Sequence, residues 1–249
     1  MDSSEPAMTP PMNPLLKISG PDATTFLQGQ LTCDIGKMTA SQCHLALHCN
    51  REGRIISLFN IFLYQHDYYL FMPESMIPIT LTALKKYAIF SKVSLDVLRT
   101  HAIPIPTIPY PQLPAIYPET SGQFLPHELS LQKTDAISFN KGCYTGQEII
   151  ARIHYRAKLK KQLYQAHLAT NVPQTRGAPL YYENNGLLEI GGVLVDAISL
   201  KPNDQTIWLV SEEAHAIEEH LFLKDQDSDS AIATTMLAEI KPIVFNVSQ

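Results

Sequence analysis

Two textures divide this 249-residue sequence, and together they predict an α+β fold. A sandwich of strands and helices is expected over residues 15–157, followed by a small antiparallel β-barrel over residues 158–249. Three observations carry that reading. Before residue 100, apolar residues switch between a period of two and a longer helical period. After Lys158, only short alternating runs separated by turn residues remain. Between them stands "IPIPTIPYPQLPAIYP", in which each proline fixes φ and removes a donor, so neither helix nor central strand can form. Residues 101–126 therefore read as an extended connection.

The elements follow in order. "MDSSEPAMTPPMNP" (1–14) is acidic and proline-rich, lacks the basic and apolar regions of a secretory signal, and reads as a disordered or extended tail. Leu15–Ser19 is a strand, and Pro21 opens a helix that ends near Gly29. "HLALHCNREGRIISLFNIFLYQHDYYLFMP" gives three strands with turns at Asn50–Gly53 and Gln65–Asp67. "ESMIPITLTALKKYAIF" is helical, and "KVSLDVL" is another strand. This β-α-β-β-β-α-β run must cover one face of a sheet with helices. The barrel strands are "KQLYQAHLA", "GAPLYY", "LEIGGVLVDAISL", "QTIWLVSE" and "IVFNV".

Composition narrows the function. With 45% hydrophobic residues the chain can bury a sizeable core in one or two domains. A net charge of −5 argues against a dominant nucleic-acid surface. No apolar run is long enough to span a bilayer, so a cytoplasmic protein is expected. Without a secretory signal the cysteines Cys33, Cys43, Cys49 and Cys143 are expected to be reduced.

The most informative stretch is "KGCYTGQE" at 141–148, set between apolar "AISF" and "EIIARI". Thr145 and Glu148 have the spacing of a capping box, with Thr145 as the cap. Cys143 then precedes a helix whose free N–H groups and dipole make it electropositive, and Lys141 adds a charge. Both favour a thiolate, so Cys143 and Lys141 are the candidate reactive pair. The alternative is a helix cap with an incidental small apolar cysteine.

The longer string "ISFNKGCYTGQEIIARIHYRAKLKKQL" resembles the signature of the YgfZ family, and "FLQGQLTCDI", "HCNREGRI" and "GQFLPHELSL" match in order. The likeness covers residues 15–100 and 115–195. It implies a ferredoxin-like α/β sandwich of the glycine-cleavage T-protein type, shortened because the proline-rich connection stands where the family has a middle domain. It also implies a folate-binding accessory protein that supports iron–sulfur cluster assembly and tRNA modification, with Cys143 as functional thiol. Tetrahydrofolate or a related folate is the implied cofactor. Its implied lining is Gln28, Asp34, His48, Tyr144, Gln147, Glu148 and Arg152. The implied partners are iron–sulfur client proteins, with a client or a second copy of the chain closing the space left by the middle domain. The family's folate-flanking tryptophans are absent, since the single tryptophan is Trp208. Related aminomethyltransferases carry an acid where Ser57 and Leu58 stand, which argues against a stand-alone aminomethyltransferase; a folate-dependent aminomethyl or methyl transferase is the rival reading.

Three further features stay open at this level. "CHLALHC" offers metal-ligating residue types. Strand alternation puts Cys43 and Cys49 on one face and His44 and His48 on the other, so no metal site and no cluster spacing is assigned. The amides of Gln28 and Gln30 match a pterin edge or simply close a turn. The basic stretch 152–161 is a solvated face, a folate-tail site or an RNA contact, while the acidic 201–249 half argues against RNA wrapping the molecule.

Overall fold

The computed structural model describes residues 14–40, 42–99, 102–156, 159–170, 172–218, 220–224 and 234–243. Nearly all of the expected tail, and the "IVFNV" strand beyond Ile243, lie outside the described residues. The first half forms β1 (Leu15–Ser19), α1 (Ala23–Gln30), β2 (Cys43–Cys49), β3 (Ile55–Tyr64), β4 (Asp67–Phe71), α2 (Ile77–Ala88) and β5 (Ser94–Leu98). These are the expected elements in the expected order. The strands make one sheet, β2-β3-β4-β1-β5, antiparallel throughout. Without β2 the order is that of a ferredoxin-like sandwich, and β2 adds one edge strand. Gln65 and His66 both take positive φ, which lets a two-residue turn pair Tyr64 with Asp67 and sets the β3–β4 register.

That register sorts the side chains. Thr24 of α1 hydrogen-bonds the Tyr68 hydroxyl at 2.8 Å, so α1 covers the face that also carries Leu16, Ala46 and Ile61. The opposite face carries Leu45, Leu58, Asn60 and Phe71. It meets the proline-rich connection, which is pinned rather than free. Trp208 donates to the Gln112 carbonyl at 3.0 Å, and the Ala115 N–H donates to Asp196 at 3.1 Å. Arg176 pairs with the buried Asp196 at 2.7 Å and lies 3.6 Å over the Tyr117 ring. Residues 112–117 of the connection are thereby tied to the second sheet, while a cavity remains between the connection and the first sheet.

After α3 (Gln147–Arg156) the chain forms β6 (Lys161–Leu168), β7 (Pro179–Asn184), β8 (Leu187–Lys201), β9 (Asp204–Glu212), β10 (Phe222–Lys224), β11 (Thr234–Met236) and β12 (Ala238–Pro242). They pair as β11-β10-β7-β8-β9-β6-β12. The expected barrel is corrected here: among the described residues this is an open antiparallel sheet with β11 and β12 as its edges. Bulges between β7 and β8, β8 and β9, and β6 and β12 bend it. The two edges are consecutive in the chain, with only Leu237 between them. Alternation and turn residues specify hairpins, whereas closure depends on strand tilt and stagger that a local pattern does not carry. The main core joins both halves, with Leu16, Leu47 and Phe59 in one cluster with Leu163, Val195 and Trp208. A second core of Tyr164, Leu194 and Leu209 belongs to the second sheet alone.

Candidate functional site

Cys143 lies on a loop held at both ends. On one side the Lys141 ammonium donates to the carbonyls of Leu31 at 2.8 Å and Cys33 at 2.7 Å. Burial pushes its pKa down to about 8, and Nζ sits 5.2 Å from the centre of the Tyr144 ring. On the other side Tyr144 is buried, which raises its phenol. The Thr145 N–H donates to the Gly29 carbonyl at 3.3 Å. Gly146 has φ +83°, and a Cβ there would stand 2.5 Å from the Asn50 carbonyl, so only glycine fits against the β2–β3 turn.

The helix start differs from the expected capping box. The Gly146 carbonyl accepts the first helical bond, from Ile150 N–H at 3.2 Å, and α3 begins at Gln147. The cap therefore falls at Gly146 rather than Thr145, because the loop must pass close to the β2–β3 turn. Glu148 does not reach back; it pairs with Arg152 at 2.7 Å on the exposed side of α3. The four cysteines are free, and Cys143 alone is exposed. Burial raises the thiols of the others, Cys33 to about 12 and Cys43 to about 11, with Cys49 higher still.

The other sequence-predicted residues separate into pairs. Gln28 donates to Asp34 at 2.9 Å and accepts from the Ile35 N–H at 2.8 Å, which closes the turn after α1. The Gln28 hydrogen bond, helped by the Gly36 N–H, holds the Asp34 carboxyl below its usual range. His48 is 3% exposed, and neither ring nitrogen has a partner among the described residues. It pairs across the strands with Ser57, whose hydroxyl is equally orphaned. Burial lowers the His48 pKa to about 4.

The largest cavity described, about 450 Å³, lies elsewhere, between the first sheet and the proline-rich connection. Leu45, Leu58, Asn60, Phe71, Tyr110 and Tyr117 line it, and none of the sequence-predicted residues does. The buried Oδ1 of Asn60 has no partner among the described residues. Asn60 was missed, although it is the lone polar residue in the apolar "LFNIFL". Among the described residues no group of three or more His, Cys, Asp or Glu is placed to share a metal ion. No described helix is long and apolar enough to cross a membrane.

No family model matches the chain. An uncharacterized protein of Haemophilus influenzae is 28% identical over 238 residues, covering 78% of this chain and 84% of that protein. The tRNA-modifying protein YgfZ of Klebsiella pneumoniae is 28% identical over 232 residues, covering 64% of this chain and 71% of its own length. That of Hamiltonella defensa is 26% identical over 284 residues, covering 85% and 82%. The chain resembles the YgfZ proteins. The fold is also that of a solved structure, glycine cleavage system aminomethyltransferase T from Bartonella henselae, with a TM-score of 0.66 over 90% of this chain and 81% of that one, at 12% identity. Within this YgfZ-like frame, Lys141, Tyr144 and Gly146 hold the loop on which Cys143 stands, while Gln28 with Asp34 and Glu148 with Arg152 are satisfied by each other.

Proposed function

We propose that the chain is a YgfZ-like accessory protein of tRNA modification and iron–sulfur cluster maintenance, which binds a reduced folate beneath the proline-rich connection and presents Cys143 as a functional thiol. The observation that carries this reading is the contrast among the cysteines. Three are buried with raised thiols, and the fourth is exposed on a loop anchored by Lys141 and Tyr144. The named relatives are called tRNA-modifying proteins, which supports the process assigned.

The residues present fit a folate. A cavity of about 450 Å³ is the size of a small-molecule site. Its aromatic walls, Phe71, Tyr110 and Tyr117, suit a flat ring. The unpartnered Asn60 carbonyl would accept a pterin N–H. No carboxylate lines the cavity among the described residues, and Leu58 forms part of its wall. This chain's own residues therefore hold such a ligand and exclude water from it without a carboxylate to act as general acid or base, which disfavours aminomethyl transfer. Iron–sulfur chemistry then resides on client proteins.

Tetrahydrofolate titration tests the cavity. Asn60→Leu should weaken binding about tenfold, and Cys143→Ala should leave it unchanged. Equal affinity of the Asn60 variant would remove the folate from this cavity. Cys143→Ser should fold normally yet fail to support iron–sulfur enzymes in a complementation assay. Brief alkylation near neutral pH should label Cys143 ahead of the other three thiols, and labelling of Cys33, Cys43 or Cys49 first would sink the thiol assignment.

A further inference from the structure

A separate cavity of about 220 Å³ opens where the C-terminal turn of α3 meets the start of β6 and the 127–133 turn. His127, Gln132, Lys133, His154, Lys161 and Gln162 are among its lining residues. His127 is only 7% exposed, and neither of its ring nitrogens has a partner among the described residues. The Gln132 Oε1 is buried and unpartnered in the same way. Burial, reinforced by His154, lowers the His127 pKa to about 4, so the ring is neutral at pH 7 with one donor and one acceptor nitrogen. Lys133 and Lys161 make no ion pair among the described residues, and both are exposed residues lining the cavity.

These unmatched groups define a complementary ligand. Two ammonium groups call for an anion. The Gln132 carbonyl and one imidazole nitrogen call for N–H donors, which a bare anion lacks, and the other imidazole nitrogen calls for an acceptor. A flat heterocycle with mixed donor and acceptor edges, joined to a phosphate, meets all of them. At the cavity wall His154 stacks on Phe139, ring centres 3.8 Å apart, and Tyr155 stands edge-on to His154 at 4.8 Å while 69% exposed. That arrangement offers a platform for a second base.

We propose that this cavity binds a nucleotide, with the base against His127 and Gln132 and the phosphate between Lys133 and Lys161. The nucleotide is either free or one residue of a single-stranded RNA. The assignment does not rest on the folate reading, which uses a different cavity.

Calorimetric titration of the full chain with each of the four 5′-ribonucleoside monophosphates, with adenosine and with inorganic phosphate tests it, beside fluorescence anisotropy with a short labelled single-stranded RNA. At least one mononucleotide, or the RNA, should bind about tenfold more tightly than inorganic phosphate. Lys133→Ala and Gln132→Leu should each weaken it by about tenfold. His127→Leu should weaken it likewise, and should that variant fail to fold, Gln132→Leu and Lys133→Ala still decide the matter. An RNA source would show as RNA binding that Tyr155→Ala weakens while mononucleotide binding stays unchanged; a free nucleotide would bind as well as RNA and ignore Tyr155. Inorganic phosphate binding as tightly as any nucleotide overturns the proposal, and so does binding that both variants leave intact or no binding of any nucleotide or RNA.

Discussion

The two ends of the 141–156 segment are built on opposite principles. Around Cys143 the polar groups find partners inside the protein: Lys141 with two carbonyls, the Thr145 N–H with Gly29, Glu148 with Arg152. Around His154 the neighbouring wall keeps polar atoms of His127 and Gln132 unpartnered. Each such buried, orphaned group costs about 1–3 kcal/mol. A thiol on a satisfied frame is complete before it meets anything. An orphaned wall is completed only by what enters it. The recognisable motif thus builds the rigid end of the segment, and the unmet hydrogen-bonding capacity belongs to residues outside that motif.

The largest expected effect comes from breaking the rigid end. Gly146→Val places a branched side chain at positive φ against the Asn50 carbonyl and should cost about 4 kcal/mol in urea denaturation. A variant as stable as wild type would mean that the Cys143 loop is not anchored there.

The next effect sharpens the meaning of orphaned groups. His48 has the same signature as His127 but lines none of the cavities described, so it should be a cost without a ligand. Its pKa falls from 6.5 to about 4 on folding. Between those values the unfolded chain binds a proton that the folded chain refuses. The stability is therefore present above pH 6.5 and is lost as pH falls toward 4, by on the order of 3 kcal/mol. His48→Phe should flatten that part of the thermal-stability profile and be neutral or stabilising at pH 7. An unchanged slope below pH 6.5 would place the titration on other groups.

The smallest effect is expected at Arg152. Its partner Glu148 is four residues away on an exposed face, and such pairs contribute less than about 0.5 kcal/mol. Arg152→Ala should leave the melting temperature nearly unmoved. Any loss of folate or RNA binding by that variant then reports a contact rather than a folding defect.

What the sequence revealed follows the reach of each signal. Strand alternation placed Leu15–Ser19 and the β2–β3–β4 meander, because a period of two and a tight turn at Gln65–His66 are local facts. Flanking glycines marked the Cys143 loop for the same reason. The cap was misplaced at Thr145 because Gly146 is set against Asn50, a contact with a residue far away in the chain. Asn60 and His127 escaped notice for a related cause. The first matters only once residues 108–117 fold over its face, and the second only once β6 closes the turn that carries it. The short strands β10 and β11 carry too few residues for a pattern, and their pairing is decided by neighbours.

The consecutive edges of the second sheet have a consequence for keeping the molecule apart from its copies. A sheet edge is a row of unpaired backbone groups ready to recruit another chain. Here a single extended stretch, 234–242, lies along both flanks: its first part on β10, its last part on β6. One cut before Thr234 would strip both flanks at once, baring β6 on one side and β10 on the other. A chain truncated before Thr234 exposes the longer strand β6 in place of β12, and should form soluble oligomers before its remaining strands lose their own pairing.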